Sequence, residues 1–169
     1  TAVQASVVFA SSLAARLPKL VNEASAPIAE LAEMLDWQSS AYSRWQLFQD
    51  ANETFQALLL HWPAGAQTPV HDHGGLWGVE CTLQGQLNCE DFQIERSAAG
   101  LQLRALGTTR RLIGEVQVIR PDLDHAHRCW NGSSDSAALT LHIYGGTMRN
   151  CAHFLREDLR WRRAPARPC

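Results

Sequence analysis

No run of the 169-residue chain approaches the roughly 18–20 consecutive apolar residues that a membrane-spanning helix needs, which argues against a helical membrane protein. Neither sign of charge is in excess. Fifteen Lys and Arg against 17 Asp and Glu give a formal charge of −2, so the composition offers no general attraction to nucleic acid or to an anionic membrane. There is no CxxC pair, and the cysteines (Cys81, Cys89, Cys129, Cys151 and Cys169) form an odd, scattered set. That pattern counts against a secreted disulfide framework and predicts free thiols in a reducing compartment. The apolar N-terminal stretch TAVQASVVFASSLAARL lacks the basic segment that opens a signal peptide, and serines interrupt it. It reads as part of a helix, and the compartment as cytoplasm. No basic helix or helix-turn-helix pattern is evident, which disfavours a self-contained DNA-binding regulator. No low-complexity linker divides the chain, so 1–169 is expected to be a single domain. With 46% hydrophobic and 19% charged residues, the composition is that of a globular chain. It is long enough to bury a core without a disulfide or a metal.

The first forty residues and the remainder differ in pattern. Around Val7–Val21 the chain reads as a helix that stops near Pro18. From Ser25, SAPIAELAEMLDW sets Ile28, Leu31, Ala32, Met34 and Leu35 along one helical face, with Pro27 in the first turn. Together these predict an N-terminal helical region over 1–40, packed as a cap. From Thr54 to Tyr144 come short apolar runs: TFQALLLHW, WGVECTLQG, QLNCEDFQI, LQLRAL, GEVQVI, HRCWN and ALTLHIY. Turn signals such as PAGAQTP, SAAG, RPDLD and NGSSD separate them. Repeated short strands without intervening helices predict an all-β sandwich or barrel over 41–150. The last segment, 151–169, holds five arginines between Arg156 and Arg167 and reads as a C-terminal tail or cap, irregular near Pro165 and Pro168.

Histidine carries the chemical signal. Of the seven, His71 and His73 stand as HDH, His125 and His127 as HAH, and His142 sits in TLHIY. Residues i and i+2 of a strand share a face, so each HxH pair sets two imidazoles side by side. Two imidazoles from one strand and one from another hold a transition metal facially. Ligand type alone does not choose among Fe, Zn, Cu and Ni.

The segment GAQTPVHDHGGLWGVECTLQG resembles the first cupin motif, G(x)5HxH(x)3–4E(x)6G, through Gly65, His71, His73 and Gly85. The glutamate position falls on Trp77 or Gly78, so the carboxylate ligand of an ordinary four-ligand cupin is missing there. Glu80 lies two residues late and shares a strand face with Gly78, which leaves it open as an alternative ligand. The second motif ends H(x)3N, satisfied by His127 and Asn131. Taking His125 instead puts Gly114 at the motif's start but Cys129 where asparagine belongs. Together with TPVHDHGGLWG, HRCWN and SDSAALTLHIYGG, the joint pattern resembles the cysteine dioxygenase (thiol dioxygenase) family of the cupin superfamily, bacterial type, from about Tyr42 to Gly146.

That resemblance implies an all-β cupin fold, a double-stranded β-helix or jelly-roll barrel. It implies Fe(II) held by His71, His73 and His127, with Thr140, His142 and Tyr144 as a hydroxyl–imidazole–phenol relay. Arg44 would take the substrate carboxylate, with Tyr42 beside it on the same strand face. Gly78 stands where animal members carry a cysteine that crosslinks to the relay tyrosine, so no such crosslink is expected. Three neutral imidazoles leave the ion its +2 charge and three open positions. A thiolate with a second donor partly neutralises that charge and leaves a position for O2. The partners expected are a small thiol carboxylate and O2, with no nucleic acid and no membrane. Cysteine, converted to cysteine sulfinate, heads the substrates; 3-mercaptopropionate and mercaptosuccinate follow. A three-histidine cupin cleaving a diketone, and a non-catalytic metal-binding cupin, remain open.

Overall fold

The computed structural model describes residues 2–34, 41–98, 100–157 and 160–165. Two helices, α1 (Ala2–Glu23) and α2 (Ser25–Met34), precede the strands β1 (Ser43–Gln49), β2 (Gln56–Trp62), β3 (Val70–His71), β4 (Gly78–Gln84), β5 (Leu87–Ser97) and β6 (Gly100–Arg111). Then follow β7 (Val116–Ile119), β8 (His125–Trp130), β9 (Ala138–Tyr144), β10 (His153–Glu157) and β11 (Arg160–Arg163). The strands form two antiparallel sheets, ordered β1-β2-β9-β4-β7 and β11-β10-β3-β8-β5-β6.

Strand alternation explains how these sheets pack. Along β9 the even positions Thr140, His142 and Tyr144 point inward, while Ile143 on the other face packs against α1 with Val79 and Cys81 of β4. Leu58, Leu60, Trp62, Ala138 and Tyr144 from the first sheet meet Leu87, Cys89 and Cys129 from the second in one buried cluster. Strands covered on both faces read as continuous apolar runs, and β2, QALLLHW, is buried at every position. The helices lie on the outer face of the five-stranded sheet.

Three local expectations change. Helix α1 runs through Pro18 to Glu23 rather than stopping there. An interior proline costs about 3 kcal/mol. Burial of Leu17 and Val21 on either side of it returns roughly 1.5–3 kcal/mol each, so packing wins over propensity. The segment expected to be a tail carries β10 and β11, and β10 pairs with β3 through His153↔His71 and Phe154↔Val70. Phe154 is 2% exposed, so this hairpin is held by core packing and not by its arginines. Leu35, Arg167, Pro168 and Cys169 lie outside the described residues. Cys81, Cys89 and Cys129 are free thiols as expected; Cys151 is disulfide-bonded, which corrects that expectation. Among the described residues no helix is long and apolar enough to cross a membrane.

Candidate active site

The antiparallel pairing of β3 with β8 has a single register pair, His71↔His127, and that contact builds the centre. The ring centroids of His71 and His127 lie 4.8 Å apart, those of His73 and His127 4.7 Å, and those of His71 and His73 5.4 Å. Their ligating atoms all fall within 4.8 Å of one another. His73 reaches the cluster from the turn after β3, not by strand alternation, because β3 ends at His71. His125 does not join. Its Nε2 sits 2.9 Å from Asp91 Oδ1 instead, so the histidine of the H(x)3N motif is the third member of the cluster. Asn131 of that motif donates from Nδ2 to the carbonyls of Trp62 and Ser136, at 2.9 and 2.7 Å, tying the end of β2 to the loop before β9.

These residues fit a transition-metal ion. His71 donates from Nδ1 to the Pro69 carbonyl at 2.9 Å, which leaves Nε2 as a lone pair. Neither ring nitrogen of His73, a residue only 4% exposed, has a hydrogen-bond partner. Buried polar atoms are rarely left unsatisfied. Burial, with His73 beside it, pushes the His71 imidazole down to about 4, and burial holds His127 well below the ordinary range. Both are therefore neutral near pH 7, the form that ligates.

Next to the cluster, Thr140, His142 and Tyr144 form a linear relay. Thr140 Oγ1 lies 2.8 Å from His142 Nε2, and His142 Nδ1 lies 2.8 Å from the Tyr144 hydroxyl. The indole Nε1 of Trp62 can only donate, and it donates to Thr140 Oγ1 at 2.9 Å. With that acceptor position filled, Thr140 Oγ1 can pass its own proton to His142 Nε2, the arrangement in which Nδ1 carries the ring proton toward Tyr144. Gly78 pairs with Tyr144 across β4 and β9. A Cβ on Gly78 would sit 2.8 Å from Tyr144 Cδ1, so the ring occupies the space a side chain would need.

Two further residues matter more than the sequence suggested. Glu80, 4% exposed, pairs with His142 in register and turns its carboxylate into the site. Its Oε1 lies 3.1 Å from His142 Nδ1, accepts from the Tyr144 hydroxyl at 3.3 Å, and lies 3.4 Å from His73 Nε2 and 3.9 Å from His127 Nε2. Its Oε2 lies 3.5 Å from Nη1 of Arg111, itself 9% exposed. Burial weighs against charge on Glu80, but the imidazoles around it hold its carboxyl well below the usual range. Burial, and then the Glu80 charge, push the Tyr144 phenol well above its ordinary value. The shared face with Gly78 was the available signal for Glu80. Arg111 gave none, because the apolar pattern of β6 fades after Leu106 while the strand runs on to Arg111.

The cluster opens on a cavity of about 210 Å³, below the usual range of sites for drug-sized ligands and suited to a small substrate. Its wall includes Tyr42, Arg44, Trp62 and Met148, and Cys151 and His153 from the hairpin side. Arg44 is part-buried and stands opposite Leu60 in the β1–β2 register. The ring of Tyr42 meets that of Trp62 edge-on at 4.8 Å. His153, whose ring lies 6.4 Å from that of His71, had no motif to mark it.

Several known proteins are similar to this chain. Among solved structures, a protein from Thermus thermophilus matches 69% of the chain and 93% of its own length, at 17% identity and a TM-score of 0.50. A Schizosaccharomyces pombe cupin domain matches 63% of the chain and 65% of its own length, at 18% identity and a TM-score of 0.48. A cupin 2 conserved barrel domain protein from Rhodopseudomonas palustris matches 65% and 64%, at 14% identity and a TM-score of 0.48. The family model described as cysteine dioxygenase type I matches residues 3–157. The chain belongs to the cysteine dioxygenase type I family of cupin enzymes.

Proposed function

We propose that this protein is an Fe(II)-dependent thiol dioxygenase that adds both atoms of O2 to the sulfur of a small thiol carboxylate, RSH + O2 giving RSO2H, with cysteine to cysteine sulfinate first among the substrates. The chain is read as one cupin domain, a jelly-roll barrel with the helices as its cap. Iron is assigned to His71, His73 and His127, and when bound it supplies a Lewis-acidic, oxygen-reactive centre that takes the thiol as thiolate. The observation that carries the reading is the relay of Thr140, His142 and Tyr144, with both spacings at 2.8 Å, beside a cluster of three imidazoles.

The chain's own groups divide the work. Arg44 presents a planar pair of donors to the substrate carboxylate, and Tyr42 packs on Trp62 to shape that end of the cavity. Tyr144 offers a hydroxyl whose orientation is set by His142, Thr140 and Trp62, so no reorganisation is needed when charge develops near it. Leu60, Trp62 and Met148 line the cavity with apolar surface and limit water, which strengthens each of these interactions. We assign the activity to the cytoplasm on the free thiols of Cys81, Cys89 and Cys129, although the Cys151 disulfide is a bond that oxidising compartments favour.

Anaerobically Fe(II)-loaded protein, given cysteine, 3-mercaptopropionate and mercaptosuccinate in parallel, tests the reading. Oxygen uptake matched one-to-one by a sulfinate identified by mass is expected. Stoichiometric iron with no uptake for any thiol refutes it and removes Arg44 and Tyr144 from their roles.

A further inference from the structure

Strand pairing brings one acidic side chain within reach of the relay. In the β4–β9 register Gly78 stands opposite Tyr144 and Glu80 opposite His142, and Gly78 and Glu80 share a face of β4. Tyr144 is therefore the diagonal cross-strand neighbour of Glu80, a separation that a long side chain can bridge. Glu80 does so, and its Oε1 accepts from the Tyr144 hydroxyl at 3.3 Å. The other oxygen, Oε2, lies 3.5 Å from Nη1 of Arg111, a group that only donates. Arg111 thus engages one oxygen and leaves the other turned to the phenol.

Three restraints act on that phenol, and each fixes something different. The Gly78 backbone closes the space beside the ring, since a Cβ there would stand 2.8 Å from Cδ1. His142 Nδ1, 2.8 Å from the hydroxyl, sets where the oxygen sits. When the ring proton is on that nitrogen, the hydroxyl accepts from His142 and its own proton needs an acceptor elsewhere. Tyr144 and Glu80 are 5% and 4% exposed, and a buried hydroxyl without an acceptor is costly. Glu80 Oε1 is the acceptor the fold supplies. The contact is long for O–H···O, and such contacts tighten when substrate fills a site. Tyr144 and His142 are among the described residues lining the cavity, and Glu80 is not. It stands behind the relay.

We propose that Glu80, held by Arg111, is a positioning residue for Tyr144: it accepts the phenol's hydrogen bond and keeps the hydroxyl at the edge of the three-imidazole cluster. The inference rests on the role proposed above for Tyr144 and leaves the metal to the histidines. Glu80 acts on the reaction through that hydroxyl and not by touching substrate.

A cycle of Glu80→Leu and Tyr144→Phe tests this, because what Glu80→Leu does to Arg111 and to packing is common to both backgrounds and cancels. Melting of the four metal-free proteins needs no turnover. Glu80→Leu is expected to lower Tm by roughly 2–6 °C more with the Tyr144 hydroxyl present than without it. In the Fe(II)-loaded proteins, with rates taken per bound iron, Glu80→Leu should lower kcat for sulfinate formation by roughly 10–100-fold. It should leave KM within about 3-fold, since Arg44 still holds the carboxylate, and should lower kcat less than about 3-fold further once Tyr144→Phe is in place. Tm losses that agree within about 1 °C with and without the hydroxyl, or a kcat loss of equal size in both backgrounds, overturn the inference and leave the dioxygenase reading standing. Wild-type protein that binds iron and forms no sulfinate overturns both.

Discussion

Replacing Arg111 by methionine isolates the charge pair beneath the site. Methionine keeps most of the arginine stem and its packing but leaves Glu80, 4% exposed, without its counter-ion. Removing one partner of a buried pair typically costs about 3–5 kcal/mol, because the remaining charge is uncompensated. The Nη1–Oε2 separation of 3.5 Å is long for a charge-assisted bond, and the Tyr144 hydroxyl still donates to Glu80, which favours the lower end, near 3 kcal/mol. For a chain of this size, 1 kcal/mol corresponds to roughly 2–4 °C in Tm, so metal-free Arg111→Met should melt roughly 10 °C below wild type. The double variant Glu80→Leu/Arg111→Met replaces the pair by apolar groups. It should recover most of the loss, since such replacements are often neutral or better. Thermal unfolding of metal-free wild type, both single variants and the double variant closes the cycle. An Arg111→Met protein that melts within about 2 °C of wild type, or a double variant as unstable as Arg111→Met, refutes the view that Glu80 is an ionised, Arg111-balanced carboxylate.

Other perturbations follow from single contacts. Gly78→Ala pushes a methyl into the Tyr144 ring at 2.8–2.9 Å and should cost about 1–3 kcal/mol. It should also sharply lower thiol-dependent O2 uptake at unchanged metal content, whereas wild-type melting and uptake would mean that the ring yields freely. Arg44→Ala should raise KM for the thiol carboxylate by roughly 10–100-fold, the loss of about 1.5–3 kcal/mol of charge-assisted bonding, with Tm nearly unchanged; an unaltered KM removes Arg44 from substrate binding. The folded-state value of His71, about 4, lies below its unfolded value of 6.5, so its contribution is complete above pH 6.5 and lost as pH falls toward 4. Metal-free protein should lose up to about 3 kcal/mol across that window, seen as falling urea midpoints; a wild-type midpoint that stays flat contradicts it. Cys129 bonds through both backbone groups to Thr68, so Cys89↔Cys129 is a non-hydrogen-bonded pair, the closer kind, at about 4.5 Å between Cα atoms. With sulfurs 2.7 Å apart, diamide should join them, and tryptic mass mapping without the linked peptide would count against it.

The strand-rich body was legible along the chain, because runs such as ALTLHIY and QALLLHW announce their own structure through alternation and β-branched or apolar content. So was the local half of the chemistry. A relay made of residues i, i+2 and i+4 is fixed once β9 is a strand, since alternation leaves Thr140, His142 and Tyr144 no choice but one face. The choice between His125 and His127 was different. Both lie on β8, and only the pairing of His71 with His127, a contact between distant segments, settles which imidazole joins the cluster. The hairpin of β10 and β11 was hidden because arginines dominate its composition, while a single buried Phe154 anchors it. Glu80 was marked in the sequence by its strand face alone, and its pairing with Arg111 was hidden for a deeper reason. An acidic residue on β4 and a basic one at the end of β6 are ordinary surface residues until two sheets enclose them. Burial then makes each the other's necessary partner. Periodicity is a property of neighbours along the chain and can be read there; enclosure belongs to the assembled sheets and exists only once they pack.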